Sequence, residues 1–236
     1  MKKNIGLFVA FLMFFSIVCF NVAFAKDNVV SVDSIVLEKK WDEMGIPIEK
    51  QKGLKYKLEH GQLLDSQKPE NVKEAMNSLV VNEENLKAEY IFEDGSKIIV
   101  SAEVIATESI SVEENYYIGL SNMIMPMATI EHKIVRLKSN DSILDCSYWA
   151  DFYVNVDYPS SWINRVYDDY VKVLAGTFQN KSLTIINKSE TSSSPAKSEL
   201  YFDYTIYFNG SPIQSGNARL LLLINNGNWN AYFNYA

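Results

Sequence analysis

The chain reads as mainly β: an antiparallel β-sandwich, immunoglobulin-like in general architecture, preceded by a small helical hairpin. Three observations predict this. Residues 144–158 alternate, with Leu144, Cys146, Tyr148, Ala150, Phe152, Val154, Val156 and Tyr158 on one side and Asp145, Ser147, Trp149, Asp151, Tyr153, Asn155 and Asp157 on the other. A strand sends successive side chains to opposite faces, so one face is apolar and buried and the other wet. The dipeptides Asp94-Gly95, Asn209-Gly210 and Asn226-Gly227 separate further alternating runs, as hairpin turns do. No long helical pattern interrupts the evenly spaced strands.

The first residues carry an address rather than a fold. Lys2 and Lys3 precede an apolar run over residues 5–20, and Ala23-Phe24-Ala25 offers small residues where a signal peptidase cuts. Residues 1–25 are therefore expected to be a secretory signal peptide, with a mature chain starting at Lys26. Val18 stands where a lipoprotein signal needs a small residue before Cys19, so no lipid is expected. Without Lys2 and Lys3, 20 basic face 29 acidic side chains, a net charge of −9. Such a balance, with no basic stretch, argues against nucleic acid and against anionic membranes once the signal is removed. Cys146 is then the one remaining cysteine, and its apolar face makes it a small buried hydrophobe.

Residues 26–86 form the expected helical segment. Ile35, Leu37, Trp41 and Met44 repeat at helical spacing and Gly45 stops the run. Pro47 suits the first position of a second helix, with Leu54 and Leu58 as its stripe and Gly61 as its end. A short third helix is expected from Pro69 through Leu79. Alone, this unit has too little apolar area to be stable.

The run from Trp41 to Gln51, with Leu54, Leu58, Gly61, Leu64-Asp65-Ser66, Pro69-Glu70 and the turn Phe92-Glu93-Asp94-Gly95-Ser96, resembles a segment of uncharacterised secreted proteins of Gram-positive bacteria. In those proteins it precedes a β-rich C-terminal domain. The resemblance covers most of the mature chain and implies secretion and this architecture; it brings no activity, because its motifs are structural.

Residues 87–236 supply a hairpin and then the sandwich. Tyr90 and Phe92 lead into Asp94-Gly95, and Ile98, Val100, Ala102 and Val104 alternate after it. Residues 106–127 show no clean period, and Met123, Met125 and Met127 there suit either a connector lying on the core or a segment that binds something. A strand through Ile130, Ile134 and Leu137 turns at residues 140–142 into the 144–158 strand. Residues 161–175 fit a helical stripe of Ile163, Val166, Tyr167, Tyr170, Val171 and Leu174, but their β-branched and aromatic content favours strands. Strands follow at 182–186, at 198–208 with Leu200, Phe202, Tyr204, Ile206 and Phe208 inward, at 218–224, apolar on both faces, and at 229–235.

Chemistry is sparse. With only two histidines, His60 and His132, a zinc site would need both plus carboxylates from two domains, and His60 is explained as a helix end beside Gly61. Hydrolase elbow, Walker loop and dinucleotide motifs are absent. The Ser194-Pro195-Ala196-Lys197 match to a serine–lysine motif sits in a serine-rich loop, and Asp168-Asp169 and Glu113-Glu114 read as solvated charge. No cofactor or metal is expected. What rises above background is aromatic: ten of fourteen tyrosines and three of four tryptophans fall at or after residue 144. Trp149, Tyr153, Tyr201 and Tyr207 fall on wet faces, where amphipathic rings serve recognition, unless the helical hairpin or residues 123–127 cover them. The expected function is a secreted, non-enzymatic module that binds an extracellular glycan or protein through these four residues. A wall-active hydrolase with an acidic site and a self-assembling surface protein are the alternatives.

Overall fold

The computed structural model describes residues 34–112, 128–174, 176–208 and 211–235. Residues 1–25, expected to be a signal peptide, the methionine-rich stretch up to Met127 and the Asn209-Gly210 pair lie outside them. Among the described residues three α-helices, α1 (Ser34–Glu43), α2 (Ile48–Glu59) and α3 (Pro69–Ala75), lead into ten strands. These are β1 (Val81–Asn82), β2 (Lys87–Ile91), β3 (Lys97–Val112), β4 (Ala128–Asp141), β5 (Leu144–Asn155), β6 (Trp162–Val173), β7 (Gly176–Asn187), β8 (Ala196–Phe208), β9 (Ser211–Asn225) and β10 (Asn228–Tyr235).

The strands form two antiparallel five-stranded sheets, ordered β1-β10-β9-β8-β7 (sheet A) and β2-β3-β4-β5-β6 (sheet B). They face each other: the Phe152 ring of sheet B meets Trp229 of sheet A edge-on at 6.1 Å, and the Tyr148 and Ser198 hydroxyls lie 3.2 Å apart. The sandwich expected from the sequence is present. Its likeness to immunoglobulin domains is one of layers: here consecutive strands are neighbours in both sheets, where those domains use Greek-key connections. Among the described strands only β1 joins out of sequence, pairing Val81 and Asn82 with Ala231 and Asn230 of β10.

Alternation places the core correctly along β5. Leu144, Cys146, Tyr148, Ala150, Phe152 and Val154 are buried, and burial pushes the Cys146 thiol pKa up, so the residue is inert. Val156 and Tyr158, expected inward, are exposed. The reason is Asn155, whose side-chain oxygen accepts hydrogen bonds from the backbone N–H of Asp157 and Tyr158 at 3.1 Å each and turns the chain out of the strand. On the other face Ser147, Asp151 and Asn155 are also buried, because β5 is flanked by strands on both sides.

Within 161–175, Trp162–Val173 is strand, and two bulges explain its helical look. Pairing with β5 shifts register between Asp151 and Phe152 and between Ser147 and Trp149, leaving extra residues in β6, one of them Asp168 with φ +52°. Each extra residue turns a spacing of two into three. A bulge in β3 likewise expels Ile105 to solvent. The Asp94-Gly95 turn is longer than a two-residue hairpin: only Gly95 has positive φ, and the Phe92 N–H bonds the Ser96 carbonyl. Asn226-Gly227 has positive φ at both residues and is the two-residue turn expected.

The helices seal one end of the sandwich. Leu37, Trp41, Leu54, Leu58 and Leu64 join the same apolar cluster as the sheets, so residues 34–79 have no separate core. Ile35, expected on the apolar stripe, is exposed. The seal is polar at its rim. The Trp41 indole N–H donates to the Ser142 carbonyl at 2.8 Å, and the Lys97 ammonium to the Met44 carbonyl at 2.9 Å. Lys57 bridges Asp65 and Asp94 at 3.1 and 2.8 Å. Beneath it Asp141 is wholly buried. It accepts from the Ser66 hydroxyl at 2.9 Å, the Gln67 amide at 3.1 Å and the Tyr235 hydroxyl. Desolvation pushes its pKa up to about 6 against the pull of those donors.

Candidate functional site

The outer face of sheet B carries the ordered aromatic surface, built from register. Antiparallel pairing sets His132 of β4 beside Tyr153 of β5, and Tyr153 beside Trp162 of β6. The rings form one stack, 4.5 Å apart in both steps and within 15° of parallel. That spacing is close to the distance between strands, so the rings stand upright on the sheet. Their faces are spent on each other and their edges point outward.

A second row repeats the device four residues along β5. Arg136, Trp149 and Tyr167 are paired across the same three strands. Trp149 and Tyr167 lie 6.5 Å apart at 15°, the Arg136 guanidinium is 5.5 Å from the Trp149 ring, and that of Arg165 is 4.8 Å from Tyr167. Cations over these rings are attracted to the negative π face.

Asp151 ties the rows together. One carboxylate oxygen accepts from His132 Nε2 at 2.9 Å, the other from Asn164 Nδ2 and Arg165 Nε at 3.1 Å each. Burial alone raises a carboxylate's pKa, but here the donors outweigh it and hold Asp151 below the usual range. The group stays ionised, fixing the imidazole and one guanidinium in place.

Trp149 and Tyr153 therefore belong to one surface, both half-buried. Tyr201 and Tyr207 do not join them. They lie on the outer face of sheet A, on the far side of the core, where Tyr201 pairs with Arg219 and Tyr207 with Pro212. The Tyr201 hydroxyl donates to Asp203 at 2.6 Å, which raises its pKa, and Arg219 sits 5.5 Å from its ring. Among the described residues neither tyrosine meets another ring. Alternation found which side each residue takes; it missed His132, Trp162, Tyr167, Arg136 and Arg165. Their signal was the density of Trp and Tyr over residues 162–170, obscured by the bulges.

His60 ends α2 as expected, with Nδ1 2.8 Å from the Tyr56 carbonyl. Among the described residues no group of three or more His, Cys, Asp or Glu side chains is placed to hold a metal ion, and no helix is long and apolar enough to cross a membrane.

No family model and no curated protein matches the chain. Among solved structures, the 2.75 Å crystal structure of a hypothetical protein from Listeria monocytogenes is similar at 15% identity and a TM-score of 0.33, over 65% of this chain and 99% of that one.

Proposed function

We propose that the protein is an extracellular, non-enzymatic binding module whose recognition surface is the outer face of sheet B, taking a glycan chain. The observation that carries this reading is the three-strand stack His132–Tyr153–Trp162 braced by Asp151. Stacking immobilises the rings before any ligand arrives, so binding costs little side-chain entropy. Upright rings display a tyrosine hydroxyl and indole and imidazole edges beside two guanidinium groups, a donor-rich surface suited to a polyhydroxylated chain. Export rests on the reading of residues 1–25 and on the resemblance to secreted Gram-positive proteins.

Two of the carboxylates with shifted pKa values, Asp151 on the recognition face and Asp141 with its raised value, favour binding over hydrolysis. Asp151 is held ionised by three donors and has no proton to give. Asp141, with the raised value a general acid needs, is sealed from any substrate.

The test is retention on insoluble cell-wall polysaccharide. Tyr153→Ala with Trp162→Ala is expected to weaken retention at least tenfold, while Tyr201→Ala with Tyr207→Ala leaves it unchanged. Equal losses from both pairs, or retention that survives the first, would overturn the assignment to sheet B.

A further inference from the structure

Next to the Arg136–Trp149–Tyr167 row the same face sinks into a cleft of about 340 Å³. Register explains the dip: the adjoining row is Lys138, Ser147 and Tyr170, with the small serine in its middle. The end of α1, with Lys40 and Met44, forms the opposite wall. Ser147 is only 4% exposed, yet among the described residues its hydroxyl has no hydrogen-bond partner; nor does Arg136 Nε. Buried polar atoms left unpaired are costly and rare, and two of them lining one cleft mark places where a ligand supplies the missing partner.

The charges select the ligand. Asp145 is committed to Lys40, Lys138 to Glu103 at 2.7 Å, and Glu43 faces Lys39 at 4.0 Å. Arg136 forms no ion pair among the described residues; it lies over Trp149, and Glu103 across the strand pair acts on it only through space. A guanidinium with free donors beside an unpaired hydroxyl matches an oxyanion, which accepts from both.

The geometry points to this cleft as the subsite for an acidic substituent on the glycan: Arg136 and Ser147 hold a carboxylate or phosphate oxyanion while the neighbouring aromatic rows hold the chain. This rests on the reading of sheet B as the glycan surface and makes the preferred polymer an anionic one.

Isothermal titration calorimetry of the purified protein with three oligomers of equal length tests it: oligogalacturonate, a glycerol-phosphate oligomer and a neutral cello-oligosaccharide. At least one anionic oligomer is expected to bind tenfold or more tighter than the neutral one, and the stronger of the two identifies carboxylate or phosphate. Arg136→Gln abolishes that preference, lowering anionic binding at least tenfold more than neutral binding. Ser147→Ala, which removes an unpaired buried hydroxyl and so leaves the melting temperature no lower, reduces the preference several-fold. Equal affinity for all three oligomers, or a preference that survives both substitutions, overturns the inference and leaves the aromatic surface standing. Binding of none of the three overturns the glycan reading itself.

Discussion

Asp141 at the helix-sealed end and Asp151 on the outer face of sheet B each accept three side-chain hydrogen bonds, yet their acidities move in opposite directions. The donors differ in kind. Ser66, Gln67 and Tyr235 are neutral and enclose Asp141 completely. Asp151 faces a guanidinium and an imidazole at the margin of solvent. Counting donors therefore does not predict ionisation; the charge of the donors and their access to water do. One region is a packed joint, the other a braced display surface.

That contrast makes its largest claim about tryptophan. Trp41 in the joint is fully buried, so Trp41→Ala is expected to cost about 3–5 kcal/mol by urea unfolding. Trp149 on the display face is half-buried, so Trp149→Ala should cost about 1 kcal/mol. Comparable losses would mean the outer face is packed as a core.

Next in size is the pH response of the joint. The folded value of Asp141, about 6, lies above the ordinary carboxylate value, so its stabilising contribution is complete below about pH 4 and is lost as pH rises through about 6. The change is on the order of 2–3 kcal/mol. Unfolding measured across this range should lose that slope in Asp141→Asn; an unchanged slope would place its origin elsewhere.

Asp151 has the opposite sign. Its folded value is depressed, so its contribution is present above the ordinary carboxylate range and is lost as pH falls through the folded value. Asp151→Asn should cost about 1–2 kcal/mol at neutral pH and reduce sensitivity to acid.

The smallest effect is expected at Tyr201→Phe on sheet A. Its hydroxyl reaches Asp203 at the surface, so the melting temperature and glycan retention should both match the parent. A loss of retention there would extend the recognition surface to the second face.

Much of this fold was legible, because burial follows period two wherever strands run true. Leu200, Phe202, Tyr204 and Ile206 are buried as alternation requires, and Leu220 and Leu221 are buried on opposite faces because β9 is central in its sheet. The site was only half legible. Period assigns Trp149 and Tyr153 to a face but says nothing of who stands beside them. The neighbours are set by hairpin registers and by bulges in β6, which depend on pairing across the sheet. The split of the four aromatics between opposite faces has the same origin: chain order does not reveal which sheet a strand joins.

The pairing of β1 with β10 closes the fold over a long stretch of chain. Sheet A joins the segment following the helices to the last strand, and Tyr235 supplies a bond to the carboxylate that Ser66 and Gln67 also grip. The helical lid is thus fastened by a strand about 150 residues away in sequence, as Val81 and Ala231 pair. Closure must bridge nearly the whole described chain, so its entropy is met late in folding. A chain truncated before Asn228 would have most of its strands and no clasp, leaving Trp41 and Leu54 open to proteases.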